Sequence, residues 1–293
     1  MRLVTYVADD ALRAGIELDG RVVDAERAVG ERWAATVVGI LEQPQSSRDA
    51  LALAAQEVDG LPIDSLRLAP PIPAPQKIIC IGLNYVDHVH ELEAIKNAPS
   101  EVTPVPILFT KFVTSLVGHE DLVLIPPSTE QMDYEAELAV VIGRRASRVS
   151  AIDALSYVGG YSAFNDITAR DLQLRTPQWT AGKAPDTFGP FGPVLVTADE
   201  IADPQSLRIQ CRVNGEARQD ATTDLMIFPV AQLIEFISSL ITLVPGDVIS
   251  TGTPAGIGVA RKPPLFLQAG DVVEVEISQI GVLRNTLASL QTQ

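Results

Sequence analysis

The sequence predicts a β-rich α+β fold on a mixed or largely antiparallel sheet, and three observations carry that expectation. Short apolar runs bounded by Gly, Pro, Asn and Asp recur along most of the chain. Helical periodicity is sparse by comparison. Strands and helices do not alternate as βαβ units, and no internal repeat is visible, which argues against a doubly wound parallel sheet.

Taken in order, residues 1–70 read as a small N-terminal accessory unit. "LVTYV", "AGIEL" and "RVVDA" are strand candidates, followed by "TVVGILEQ" and "SRDALALAAQEV" with helical spacing. The Pro-rich stretch "LAPPIPAP", Leu68 to Pro75, marks a boundary because consecutive prolines stop regular structure. Residues 71–293 form the larger unit, with strands expected at "KIICIGL", "PILFTKF", "LVLIP", "AELAVVIG", "PVLVT", "LRIQCRV", "DVISTG" and "DVVEVEIS". Asn214-Gly215 is a type I′ hairpin signature, since both central residues of that turn need positive φ. "VAQLIEFISSLITL" is the clearest helix, with Leu233, Phe236, Ile237, Leu240 and Ile241 expected on its buried face.

Composition narrows the function. The 293 residues are 46% hydrophobic and 20% charged, which is globular. A net charge of -15, from 37 acidic against 22 basic residues, repels a polyphosphate backbone, and "GRRASR" is too short a basic run to offset it, so no nucleic-acid partner is expected. Cys80 and Cys211 lie in apolar runs and exclude a disulfide framework. "MRLVTYVADD" lacks a signal-peptide core, and the longest apolar stretch is broken by Glu235, Ser238 and Ser239. An intracellular, cytoplasmic protein with no membrane partner is expected.

The chemistry concentrates in "QMDYEAELAVVIG", where a strand would set Asp133, Glu135 and Glu137 on one face. Like charges ~4 Å apart repel by about 4 kcal/mol at an effective dielectric of ~20, so an apolar strand should avoid the pattern unless something positive sits there. A solvent-facing edge strand would also tolerate it. However, the apolar run "AVVIG" that follows reads as a central strand covered on both faces, where carboxylates need partners. Asp166, at the end of another expected strand, offers a third ligand or a helix cap, with Asp171 reading as a capping-box acid after Thr168. Two Glu and one Asp make an all-oxygen set suited to Mg²⁺ or Mn²⁺, with Ca²⁺ as a substitute.

In "GLNYVDHVHELEAI" a helix puts His88 and Glu91 on one face and turns His90 away, which disfavours a His-x-His metal pair. A His–Glu pair has the logic of a general base, the carboxylate fixing the imidazole tautomer, although a plain surface pair has the same spacing. The stretch "NAPSEVTPVP" that follows reads as flexible, so this helix could serve as a lid. Lys183 lies among glycines and prolines, where it could polarise a carbonyl or bind a carboxylate. "STGTPAGIG" lacks the lysine and spacing of a Walker loop, and reads as a tight turn presenting Thr253.

Over about residues 76–293, seven segments resemble the fumarylacetoacetate hydrolase family: "IGLNYVDHVHE", "DYEAELAVVIG", "YVGGYSAFNDITARD", "GKAPDTFGPFGP", "VNGEARQ", "LVPGDVISTGTPAGIGVARKPP" and "GDVVEVEISQIGVLRN". The resemblance implies a mixed β-roll, a homodimer, and Glu135, Glu137 and Asp166 as metal ligands. It further implies His88 with Glu91 as the catalytic pair, Lys183 as a catalytic and substrate-binding residue, Gln173 and Thr253 at the substrate, and Thr187 near the metal. Two positions depart from the family: Leu83 stands where some acylpyruvase-type members have Arg, and "ICIGLNY" offers no aspartate ligand.

The reaction implied is hydrolysis of a C–C bond in a 2,4-dioxo acid, an acylpyruvate or 2,4-diketo-3-deoxy acid, through a metal-bound pyruvate enolate with the His–Glu pair activating water. Decarboxylation of oxaloacetate passes through the same enolate, and isomerase or lyase action on a related dioxo acid begins with the same enolisation. A different class, a non-catalytic binding protein stabilised by its cation, would use the same acids.

Overall fold

The computed structural model describes residues 1–93, 95, 98 and 101–290. Its main sheet is centred on Ala136–Ile142, a strand buried at every residue. That strand pairs antiparallel with Val158–Asn165 on one side and with Val248–Ser250 on the other. Beyond Val248–Ser250 lie Ile78–Gly82, in parallel, and then Ile107–Thr110. Beyond Val158–Asn165 lies Gly189–Thr197, which pairs with Arg2–Ala8. The strands expected at the N-terminus are therefore present, and they continue the same sheet through Arg2↔Val196 and Leu3↔Leu195. A second, five-stranded sheet contains the Asn214-Gly215 hairpin, with φ of 52° and 79° at the two turn residues, as its signature requires.

Alternation along the central strand explains why its run is almost continuously apolar. Leu138, Val140 and Ile142 enter one core, while Ala139 and Val141 enter another with Ile78, Cys80 and Phe164. Glu137 has the parity of the second set and sits where that face leaves the core for an open cleft. Cys80 and Cys211 are both buried and free.

The helix Val230–Leu240 forms as expected, but its buried face is rotated. Val230, Leu233, Ile234, Ile237 and Ser238 pack inward, whereas Leu240 is 65% and Ile241 37% exposed. Helical spacing counted from Val230 generates this stripe, and the Ser238 hydroxyl oxygen earns its buried position by accepting the Val149 N–H at 3.0 Å. Among the described residues no helix is long and apolar enough to cross a membrane.

Candidate active site

The antiparallel register builds the acidic cluster. Ala136 lies opposite Asn165, so Glu135 and Asp166 face one another just past the paired ends, joined by an Asp166 N–H to Glu135 carbonyl bond of 2.9 Å. One carboxylate oxygen from each of Glu135, Glu137 and Asp166 lies within 4.8 Å of the others, and all three residues are buried. Asp133 is fully buried too. Its oxygens accept from Arg170 Nε at 2.9 Å and from the N–H groups of Tyr134, Gly258 and Val259.

Three buried cations answer Asp133, Glu135 and Asp166. Lys183 Nζ lies 2.7 Å from Glu135 Oε2 and 2.6 Å from Asp166 Oδ2. Arg170 bridges Asp133 and Glu135, at 2.9 and 2.7 Å. Lys111 Nζ lies 2.7 Å from Asp166 Oδ1, yet its three hydrogens go to the carbonyls of Ile167, Phe188 and Lys183. Among the described residues Asp166 Oδ1 is thus buried beside a cation without a hydrogen-bond donor of its own.

The electrostatics follow from this asymmetry. Burial disfavours the Glu135 carboxylate, but Lys183, Arg170 and His88 together hold its pKa well below the usual range. Burial pushes Glu137 well above it, reinforced by Asp166 and Glu135. Glu137 Oε2 accepts from the Ser250 hydroxyl and, at 3.0 Å, from the Gly252 N–H. Gly252 is required there: its φ is 96°, and a Cβ would lie 2.7 Å from Asn84 Cβ. An all-oxygen cluster containing an orphaned carboxylate oxygen and an acid disfavoured by its neighbours fits a hard divalent cation, which Glu135, Glu137 and Asp166 would hold.

Across the cleft, Val86–Glu91 is a short helix that buries His88 and exposes His90. His88 Nδ1 lies 2.7 Å from Glu91 Oε1, and Glu91 Oε2 accepts the Gly256 N–H at 2.8 Å. That bond assigns a proton to Nδ1, the tautomer that in a neutral imidazole turns the Nε2 lone pair outward. His88, Glu135, Glu137, Gln173, Lys183 and Thr253 line a single cleft. Thr253 Oγ1 accepts from Gln219 Nε2 at 2.8 Å, which leaves its hydroxyl hydrogen to donate.

Two expectations need correction. Thr187 does not line the cleft; its hydroxyl oxygen accepts the Leu124 N–H at 2.8 Å. Asp171 does not close a capping box, because its carboxylate instead holds Thr129 Oγ1 and the Glu130 N–H. Of the stretch read as flexible, Asn97, Pro99 and Ser100 lie outside the described residues. Sequence reasoning missed Arg170, Lys111 and Gln219, whose acidic, carbonyl and hydroxyl partners are distant in sequence. Arg170 sits in the cleft wall with Nη2 buried and unpartnered, a donor left for a ligand.

The chain is similar to known proteins along nearly its whole length. It is 41% identical over 292 residues to a Bos taurus protein named Oxaloacetate tautomerase FAHD2A, mitochondrial, spanning 97% of this chain and 91% of that one. A putative HpcE protein from Mycobacterium smegmatis superposes with a TM-score of 0.85 at 34% identity, covering 99% of this chain and all of the other. Maleylpyruvate hydrolase from Sphingobium sp. SYK-6 does so with a TM-score of 0.82 at 28% identity, with the same coverage. The model of the fumarylacetoacetate hydrolase C-terminal region matches residues 77–288, and the chain belongs to the fumarylacetoacetate hydrolase family.

Proposed function

We propose that the protein is a divalent-metal-dependent enzyme that moves a proton at the carbon beside the carbonyl of a small 2-oxo acid. Keto–enol tautomerisation of an oxaloacetate-like acid is the reaction favoured by the likeness to a protein named oxaloacetate tautomerase. The observation that carries this reading is the buried His88, held by Glu91 and facing the carboxylate cluster across one narrow cleft. A cation bound by Glu135, Glu137 and Asp166 would supply Lewis acidity toward the acid's oxygens and favour its enolate.

The remaining steps belong to the chain's own side chains. His88 Nε2 takes the proton from C3, and the C–H electron pair becomes the C2–C3 double bond as charge moves to the carbonyl oxygen. Glu91, fixed by the Gly256 N–H, stabilises the imidazolium so formed. Reprotonation at oxygen completes the enol. Arg170 Nη2 binds a carboxylate oxygen, while the Gln173 amide and Thr253 hydroxyl orient the acid. One chain supplies every one of these groups.

A second reading, C–C hydrolysis of a 2,4-dioxo acid, is favoured by the likeness to maleylpyruvate hydrolase along nearly the whole chain. There His88 would deprotonate water instead of carbon. Incubating the Mn²⁺-loaded protein in D₂O with enol oxaloacetate and a panel of 2,4-dioxo acids separates the readings. Tautomerisation removes the enol absorbance and places deuterium at C3 with the carbon skeleton intact. Hydrolysis adds water and yields two acids, and decarboxylation releases CO₂. A panel unchanged with and without metal would sink the proposal.

A further inference from the structure

We propose that Trp179, seated in the space that Gly82 leaves open, is a specificity-determining residue that narrows the apolar side of the cleft and restricts it to compact 2-oxo acids. The inference rests on the proposed 2-oxo acid chemistry and concerns the wall that Trp179 forms with Phe109, whose ring centroid lies 5.1 Å from Lys183 Nζ.

Gly82 ends the strand Ile78–Gly82 and pairs with Ile107, so its backbone is ordinary extended chain and does not itself demand glycine. The demand comes from Trp179. A Cβ on Gly82 would lie 2.5 Å from Trp179 Cζ3 and 2.8 Å from Cη2, well inside contact distance. On another side the indole meets Phe109 edge to face, with centroids 5.4 Å apart at 69°. Gly82, Phe109 and Trp179 all line the cleft, and Leu83 and Leu174 are among its other apolar lining residues.

The ring and the backbone of Trp179 do different things. Its carbonyl accepts the N–H groups of Gly182 and Lys183 at 2.9 and 3.0 Å, forming the turn that carries Lys183 to Glu135 and Asp166. Those backbone bonds survive truncation of the side chain, so the indole can be removed while the polar end stays in place. Removal opens apolar space beside the substrate, where each added methylene should improve binding about three- to fourfold.

Oxamate and its N-alkyl derivatives carry the head of a 2-oxo acid without its reactivity, and their arm length can be varied from methyl to hexyl. Calorimetric titration of the Mn²⁺-loaded full chain should show affinity falling more than tenfold from oxamate to N-butyl oxamate. In Trp179→Ala the order should reverse, rising about threefold per methylene to butyl, with parent oxamate within twofold of wild type. Gly82→Ala should alter the length profile when Trp179 is present and leave it unchanged in the Trp179→Ala background. A purely structural role would instead weaken every ligand alike. In a Trp33→Phe background the remaining tryptophan is Trp179, whose emission should shift when oxamate binds.

An unchanged falling profile in Trp179→Ala, or wild type that accepts N-butyl oxamate as readily as oxamate, overturns the proposal and leaves the 2-oxo acid reading standing. Failure of parent oxamate to bind metal-loaded wild type overturns both.

Discussion

Lys111→Met tests the least conspicuous part of the site. The lysine side chain is fully buried, and Nζ holds the carbonyls of Ile167 and Phe188 at 3.0 and 2.8 Å, the Lys183 carbonyl, and a position 2.7 Å from Asp166 Oδ1. Methionine conserves volume but leaves Asp166 short of one countercharge and three carbonyls short of a donor. Removing one partner of a buried ion pair costs about 3–5 kcal/mol. At roughly 2–4 °C per kcal/mol for a chain of this size, Tm should fall by about 6–20 °C. Thermal unfolding followed by circular dichroism in EDTA measures that loss. Saturating Mn²⁺ should then raise Tm more in the variant than in wild type, because the cation replaces the missing charge beside Asp166. A metal-free variant that melts within about 2 °C of wild type would refute the claim that Lys111 ties this end of the site together.

Further outcomes follow from the same geometry. His88→Ala should lower the rate of enol conversion by about 10²–10⁴-fold while Mn²⁺ binding, followed by titration, is retained; Glu91→Gln should lose less, since the imidazole remains. Arg170→Lys keeps the charge but loses the fork that spans Asp133 and Glu135, so KM for a carboxylate substrate should rise at least about tenfold in steady-state kinetics. Burial holds the His119 pKa below 6.5, and its Nδ1 accepts the Arg284 N–H at 3.1 Å. The unfolded chain therefore takes up that proton first: the contribution is complete above pH 6.5 and is lost as pH falls through the folded value. Urea unfolding of His119→Asn should show a flatter decline over that window, and an identical decline would show that His119 is not its source.

The central strand was legible because its two faces are both covered, which compresses the pattern into the apolar run 138–142. Its acids stood out for the same reason, since Glu135 and Glu137 interrupt that chemistry where the face leaves the core. The pairing of His88 with Glu91 was legible because both lie on one short helix, within one turn. The helix Val230–Leu240 was legible as an element but not in its rotation, because apolar residues surround most of its circumference and only packing against the sheet selects the inward stripe. Lys111, Arg170 and Gln219 left no local pattern. Gln219 reaches Thr253 and Ala136 from a hairpin in the second sheet, and Lys111 reaches Asp166 across 55 positions of sequence. Cross-strand register brings these groups together, and register is a property of the fold.

Those missed residues change the electrostatic case for a metal. Taken from the sequence, alternating carboxylates demanded a positive charge, and a divalent cation supplied it. The structure places Lys111, Lys183 and Arg170 against Asp133, Glu135 and Asp166, while burial disfavours the charged form of Glu137, so three protein cations already answer the three acids they touch. Excess charge alone therefore no longer requires an ion. What does is direction: the hydrogens of Lys111 are spent on carbonyls, Lys183 bonds Asp166 through Oδ2, and Asp166 Oδ1 is left buried without a donor. A cation needs no hydrogen to satisfy such an oxygen and can bind several at once. The lysines thus make the acidic cluster affordable in the folded chain, and their geometry still leaves oxygen atoms free to bind the ion on which the proposed chemistry depends.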